Sequence, residues 1–415
     1  MLGTPEIIRE TGQLARLEEL LPRWREVPLY SGPLGNCPRQ NLDCFRTLPL
    51  LGKDAMRENF PRNFLGEQAT LDDLLARNLI ELEHTSGTTS ERLPVIFARG
   101  WWNEQEERAL RLNAVVAKIL DQHPNARRAA IVPPNCNGLT CPTGWMSREQ
   151  RIIGQTLFVN LARIPFLIPE PEMRRMAQEI LEWSPVFLDT DPVHAVWFAL
   201  FCERNRIKLP SLKFILCSYE FVSAVHKKII ARVFGVPAFN LYGSTETGHL
   251  LMENEAGEMK ASHDTAFLEL ANQDPTGIGD LVVTTLSNDF MPLVRYRIGD
   301  LAEKISQPYG TNFIVHGRAK DALQTADGSR VTTWQVDRCF ADATGIAHYE
   351  LRQNENGSCD LRYIADANPP SQNTLDQITA RLESLLKTKE KISVSALPTL
   401  VPSASGKFRL TARAV

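Results

Sequence analysis

Five short segments carry the residue types that could do chemistry. Thr85-Ser86-Gly87-Thr88-Thr89-Ser90 places five hydroxyl side chains around one glycine. Hydroxyls and exposed backbone N–H groups on such a turn suit phosphate oxygens. It is not a Walker loop, because G-x4-G-K-[ST] is absent. Asn240-Leu-Tyr242-Gly243-Ser244-Thr245-Glu246 combines an aromatic ring, a glycine that permits close approach, two hydroxyls and a carboxylate. That set could serve a nucleotide and a hard divalent cation. Arg295-Tyr-Arg-Ile-Gly-Asp300 ends in a carboxylate suited to a pair of vicinal hydroxyls. Gly317-Arg318-Ala-Lys320-Asp321 and Ser403-Ala-Ser-Gly-Lys407-Phe-Arg409 add basic groups. A lysine within reach of a phosphate can stabilise charge developing there. Each segment alone also fits an ordinary polar turn.

The elements around these segments alternate. Residues 13–27 have the leucine spacing of an amphipathic helix, and the Pro/Gly/Asn-rich stretch 28–41 reads as loop. Residues 103–121 read as one helix, 129–133 as a short buried strand, and 171–183 and 192–205 as helices opened by proline. A strand at 212–217, a helix at 223–234 stopped by Gly235 and a strand at 237–242 then form an α/β unit. Strands follow at 266–270, 280–286 and 293–296. The tail reads as a small α+β unit, with strands 347–352 and 359–364 around an Asn-Gly turn and a helix at 374–388.

Composition narrows the class. The chain has 415 residues, 43% hydrophobic and 23% charged, which excludes a disordered chain and suits two or three domains. The formal charge of −3 gives no pull toward nucleic acid or an anionic membrane. The N-terminus lacks a signal-peptide pattern and the Ala195–Phe201 apolar run is too short to span a bilayer, so a cytoplasmic protein is expected. Its cysteines are then thiols; Cys136 and Cys141, spaced C-x4-C with no second pair, give little support for zinc.

The order TSGTT, YGSTE, RYRxGD, GRxKD, SGKFR resembles the ANL superfamily of adenylate-forming enzymes. The early VPLYSG and LPLLGKDAMRENF, the strand–helix–strand run into YGSTE and the short C-terminal part resemble its phenylacetate–CoA ligase-like branch. The implied fold is α/β: a large N-terminal domain of α/β sheets with a β subdomain, residues 1–318, plus a small mobile α+β C-terminal domain, residues 319–415. The implied activity is ATP-dependent conversion of a carboxylic acid, aryl or otherwise compact, to acyl-AMP with pyrophosphate release, then transfer to CoA. A carrier-protein thiol or an amine is the alternative acceptor, and a non-catalytic ligand-binding relative is the alternative from another class. Neither nucleic acid nor membrane is an expected partner, and a homodimer is compatible with the reading.

The resemblance also implies roles. Thr85, Ser86, Gly87, Thr88 and Thr89 would close over the β- and γ-phosphates of ATP. The usual Gly-x-Pro-Lys continuation is replaced by Ser90-Glu-Arg92-Leu-Pro94, where Arg92 would replace the missing lysine charge. Tyr242 would stack on adenine, Ser218, Tyr219 and Glu220 would form the opposite wall, and Asn240 would lie beside the base. Gly243 and Ser244 would border the nucleotide, Thr245 would bond the α-phosphate, and Glu246 would hold Mg2+. Asp300 would bind the ribose, Arg318 would orient the nucleotide, Lys320 would be the hinge, and Lys407 the catalytic lysine of the first half-reaction. His84, Trp145, Phe158, Phe166 and the Phe239 region are candidates for the acyl pocket.

Overall fold

The computed structural model describes residues 5–35, 42–67, 69–85, 92–133, 146–307, 310–403 and 406–414. Its contacts group into two units: Met1–Ala114 with Leu241–Val315, and Val115–Asn240 with His316–Val415. One division, between Val315 and His316, falls near the expected boundary at Arg318; the others fall after Ala114 and Asn240. Among the described residues no helix is long and apolar enough to cross a membrane.

The first unit is built on an antiparallel sheet. Gly248–Glu253 pairs with Leu241–Ser244 on one side and with Met259–Ala261 on the other. Ala266–Ala271, Gly279–Thr285 and Tyr296–Gln307 pair in succession. A separate hairpin joins Ile80–His84 to Pro94–Ala98. The core gathers Leu17, Leu20, Tyr30, Leu34, Phe97, Trp101, Leu251, Val283 and Tyr296.

Three expectations fail in or next to this unit. The 28–41 stretch is not all loop, because Pro28–Gly35 is helical. Its first residue is a proline whose missing N–H costs nothing there. Tertiary packing overrides the weak propensity: Tyr30 and Leu34 are buried in the core, and the Tyr30 hydroxyl donates to Pro292 O at 2.8 Å. The 103–121 helix is two helices, Trp101–Leu110 and Ala114–Gln122. The break at Asn113 puts its buried amide on Glu253 O at 2.9 Å. The strand expected at 293–296 begins only at Tyr296.

The second unit contains a parallel sheet in the order Thr156–Phe158, Arg128–Ile131, Phe187–Thr190, Phe214–Cys217, Ala238–Asn240. Helices Glu170–Trp183, Pro192–Arg204 and Ala224–Phe234 lie between successive strands in the chain, close to the expected bounds. The C-terminal segment adds its own sheet, with Ile346–Gln353 between Cys359–Ala365 and Thr411–Arg413, and Ser393–Ala396 on the outer side of Cys359–Ala365. Ala347, Ile364, Leu400 and Phe408 from this segment share a core with Ile131, Phe198, Ile215 and Ile230.

The Ala224–Phe234 helix is where the tail docks. Ser223 caps it, and Gly235 ends it at φ 66°, a left-handed conformation that glycine adopts at no steric cost. The buried Asp337 carboxylate accepts from the Ser223 hydroxyl, from Ala224 N at 2.9 Å and from the Tyr349 hydroxyl at 2.8 Å. Farther along, Arg232 pairs with Asp366 at 2.8 Å and Glu203 at 2.9 Å.

Between these contacts sits a buried histidine pair, with His226 Nε2 and His348 Nδ1 3.0 Å apart. Ser223 N donates to His226 Nδ1 at 3.4 Å, which assigns the His226 proton to Nε2 and makes His348 Nδ1 the acceptor. Burial lowers His226 from 6.5 to about 4, and burial together with His226 holds His348 well below its ordinary value. A histidine depressed in the fold contributes stability that is complete above pH 6.5 and is lost as pH falls toward 4. The native chain's resistance to urea is therefore expected to fall as pH drops from 6.5 toward 4, and His226→Asn to flatten the slope. Parallel slopes for the two proteins would contradict the assignment.

Candidate functional site

In the first unit the site begins at a tight hairpin. Tyr242, Gly243 and Ser244 lie in the strand, and Thr245–Thr247 form the turn into Gly248. Gly243 is required here: a Cβ would lie 2.2 Å from Gly248 O. The Tyr242 hydroxyl donates to Asp300 Oδ2 at 2.6 Å, which ties YGSTE to RYRxGD. Gly299 precedes Asp300 at φ 93°, and Asp300 is buried. Glu246 is also buried; it accepts from the Tyr296 hydroxyl at 2.8 Å, with Lys53 Nζ 4.0 Å away. Tyr296 and Lys53 have no motif role in the sequence reading; tyrosine inside RYRxGD was the available signal.

Arg295 serves the scaffold. At φ 52° it donates to Leu48 O at 2.6 Å and to Arg46 O, and its Nε reaches Glu269 at 3.3 Å. Thr85 is paired with Leu93: its Oγ1 accepts from Leu93 N at 3.0 Å, and its own N donates to Leu93 O at 3.0 Å. Ser86, Gly87, Thr88 and Thr89 lie outside the described residues, as do Cys136, Cys141 and Trp145.

In the second unit the strand ends align, with Thr190, Cys217 and Asn240 paired in register. Ligands in open α/β sheets bind at this edge. Asp191 follows the first of these strands and caps the Pro192–Arg204 helix, its Oδ1 accepting from Val193 N and His194 N at 3.0 Å and contacting His194 Nδ1 at 2.8 Å. The Asp-Pro pair is a cap signal visible in the sequence. Its Oδ2 is buried and has no hydrogen-bond partner among the described residues.

After Cys217 the chain makes a three-residue turn. Glu220 N donates to Ser218 O at 2.9 Å, with Tyr219 at φ 73°, a strained γ-turn. Ser218 Oγ donates to Asp189 Oδ1 at 3.0 Å. Lys407 Nζ donates to Tyr219 O at 2.7 Å, and Phe408 N donates to Glu220 Oε1 at 2.9 Å. Burial, reinforced by Asp191 and opposed by Lys407, raises the Glu220 carboxyl well above the usual carboxylate range.

Arg318 ends the Gly310–Arg318 strand, and the exposed Lys320 lies in the short 3-10 turn Ala319–Asp321 that follows. Of the acyl-pocket candidates, His84 pairs with Pro94 in the first unit's hairpin, while Phe158 and Phe239 lie in strands of the second unit. Phe166 packs edge-on to Trp197 and Phe408 and borders a cavity of about 630 Å3 whose lining includes Met173, Leu200 and Arg204.

No family model matches the chain. A phenylacetate-coenzyme A ligase of Pseudomonas putida is 24% identical over 372 residues, 84% of this chain and 79% of that protein. Protein CapK of Staphylococcus aureus is 28% identical over 165 residues, so the match spans 36% of that relative's length and 37% of this chain. Among solved structures, a 2-hydroxyisobutyryl-CoA ligase in the postadenylation state with R3-HIB-AMP gives a TM-score of 0.66 at 16% identity, covering 96% of this chain and 88% of that one. The chain has the fold of the adenylate-forming ligases. An anthranilate CoA ligase in complex with anthranoyl-AMP agrees, with a TM-score of 0.54 at 16% identity over 80% of this chain and 65% of that one.

Within this adenylate-forming fold the motif residues form one group in each unit. In the first, YGSTE and RYRxGD are joined by the pairs Tyr242–Asp300 and Glu246–Tyr296; in the second, Lys407 and Phe408 are held by Tyr219 and Glu220. Among the described residues no cluster of three His, Cys, Asp or Glu could hold a metal by itself. A single buried carboxylate such as Glu246 fits Mg2+, which proteins bind through one or two carboxylates with the rest of its shell from phosphates and water.

Proposed function

We propose that this chain activates a compact carboxylic acid, an aryl acid in preference to a long fatty acid, as acyl-AMP and passes the acyl group to CoA. The observation that supports this most is the bond from Lys407 to the Tyr219 carbonyl, which holds the SGKFR lysine at the turn following strand Phe214–Cys217. The likeness to the Pseudomonas putida ligase supports CoA as acceptor.

The chemistry follows from charge. A carboxylate oxygen is a poor leaving group, so the acid must first attack the α-phosphate of ATP and expel pyrophosphate. Two anions approach, and cationic and polar groups must offset their repulsion. Lys407 would bridge the carboxylate and the phosphate, and Thr245 would bond the α-phosphate. Mg2+ held by Glu246 would neutralise phosphate charge. Tyr242 and Asp300 would hold adenine and ribose, and Arg318 would orient them. The hydroxyl-rich loop beginning at Thr85 would close over the outer phosphates. The thiol then displaces AMP, with residues 319–415 turning about Lys320 to clear the lysine between steps.

The test is a pyrophosphate-release screen over aryl and alkyl acids with ATP and Mg2+, followed by mass analysis of the product with CoA or a phosphopantetheine carrier. Acid-dependent release and an acyl-CoA product are expected. Release with no acid preference, or an acyl-carrier product alone, would overturn the corresponding half of the proposal.

A further inference from the structure

Ser403 N donates to Lys407 O, and Gly406 N donates to Ser403 O, each at 2.8 Å. Next to Lys407, Phe408 is buried, with the rings of Phe166 and His348 edge-on at 5.3 and 5.5 Å. Its backbone N–H is held by Glu220 Oε1 at 2.9 Å. The adjacent Lys407 ammonium is held by Tyr219 O at 2.7 Å. One γ-turn thus grips the lysine at both ends, main chain and ammonium. A free lysine side chain is among those with the most rotamer entropy to lose. Holding both ends removes that freedom before any substrate arrives.

We propose that Glu220 is a positioning residue for Lys407: by accepting the Phe408 N–H, its side chain fixes the main chain beside the lysine and so seats the ammonium on the Tyr219 carbonyl. This departs from the adenine-wall role that the resemblance assigns to Glu220, and its catalytic consequence rests on Lys407 acting in the first half-reaction. A carbonyl-type oxygen suffices for the bond, so glutamine should replace glutamate and alanine should not. Burial and the nearby Asp191 carboxylate, which favour a protonated Glu220, are consistent with that requirement.

The test reads lysine reactivity directly. Native protein, Glu220→Ala and Glu220→Gln are reductively methylated with formaldehyde and borohydride, and labelling of Lys407 is compared by mass spectrometry with that of the exposed Lys320. Glu220→Ala is expected to speed Lys407 labelling about tenfold or more relative to Lys320, and Glu220→Gln to stay within about threefold of native. Unchanged labelling in Glu220→Ala would overturn the proposal. Should that variant fail to fold, amide exchange at Phe408 in the native chain decides: slow exchange supports the anchor, and exchange at the rate of an open loop removes it. With phenylacetate as probe acid, Glu220→Ala should lower kcat for pyrophosphate release and leave KM for ATP within about twofold. A raised KM with kcat intact would return Glu220 to the adenine wall. Persistence of activity in Lys407→Ala would instead refute the role of the lysine and leave the labelling result standing.

Discussion

Lys407→Ala is expected to reduce acid-dependent ATP–pyrophosphate exchange by about two to three orders of magnitude, the usual effect of removing one preorganised charge-stabilising donor. The ammonium is seated by a carbonyl, so its removal deletes a donor at a position already set. The fold should survive. Phe408 keeps its bond to Glu220 and its ring contacts, and the shared core does not include Lys407. Thermal unfolding should therefore remain close to native while exchange collapses. Native exchange in this variant would remove the lysine from the mechanism, and a parallel loss of thermal stability would make its role structural.

Gly243→Ala is expected to cost about 2–4 kcal/mol and most of the activity, because the clash is with main chain that cannot step aside. The new Cβ would meet Gly248 O at 2.2 Å and His249 Cα at 2.9 Å. Relief requires the hairpin to open, and that hairpin carries Thr245 and Glu246. Gly248 cannot yield easily: it sits at φ 74°, and a Cβ on it would meet the Trp101 ring at 2.8 Å. Gly52→Ala is the control, since nothing lies within 4 Å of its Cβ. Urea midpoints should separate the two variants clearly. A native midpoint for Gly243→Ala would show that the hairpin is looser than its contacts imply.

These effects show unequal legibility in the sequence. The ordered motifs announced the adenylate-forming fold, and the alternation over 212–242 located the strand edge where Ser218 and Asn240 lie. Local signals sufficed because each is local: a glycine that stops a helix, a proline that opens one, apolar residues spaced for one face. Pro28–Gly35 was illegible because its helix depends on Tyr30 and Leu34 finding a core made by residues far along the chain. Asn113 split a helix for the same reason: its amide serves a carbonyl at Glu253.

The polar partnerships were equally out of reach. Asp337 on Ser223, His348 on His226 and Tyr296 on Glu246 join positions 50 or more residues apart. Burial makes such pairs obligatory, because an unpaired polar group in the interior is costly. No local pattern says which distant group will supply the partner.

The sequence by itself determined the motif set, the helix caps and stops, and the strand–helix–strand run, since these depend on neighbours within a few residues. The tertiary structure alone decided that Glu220 holds the main chain beside Lys407 and that Tyr219 holds its ammonium. Those bonds span 188 residues and exist only once the tail has packed against the parallel sheet.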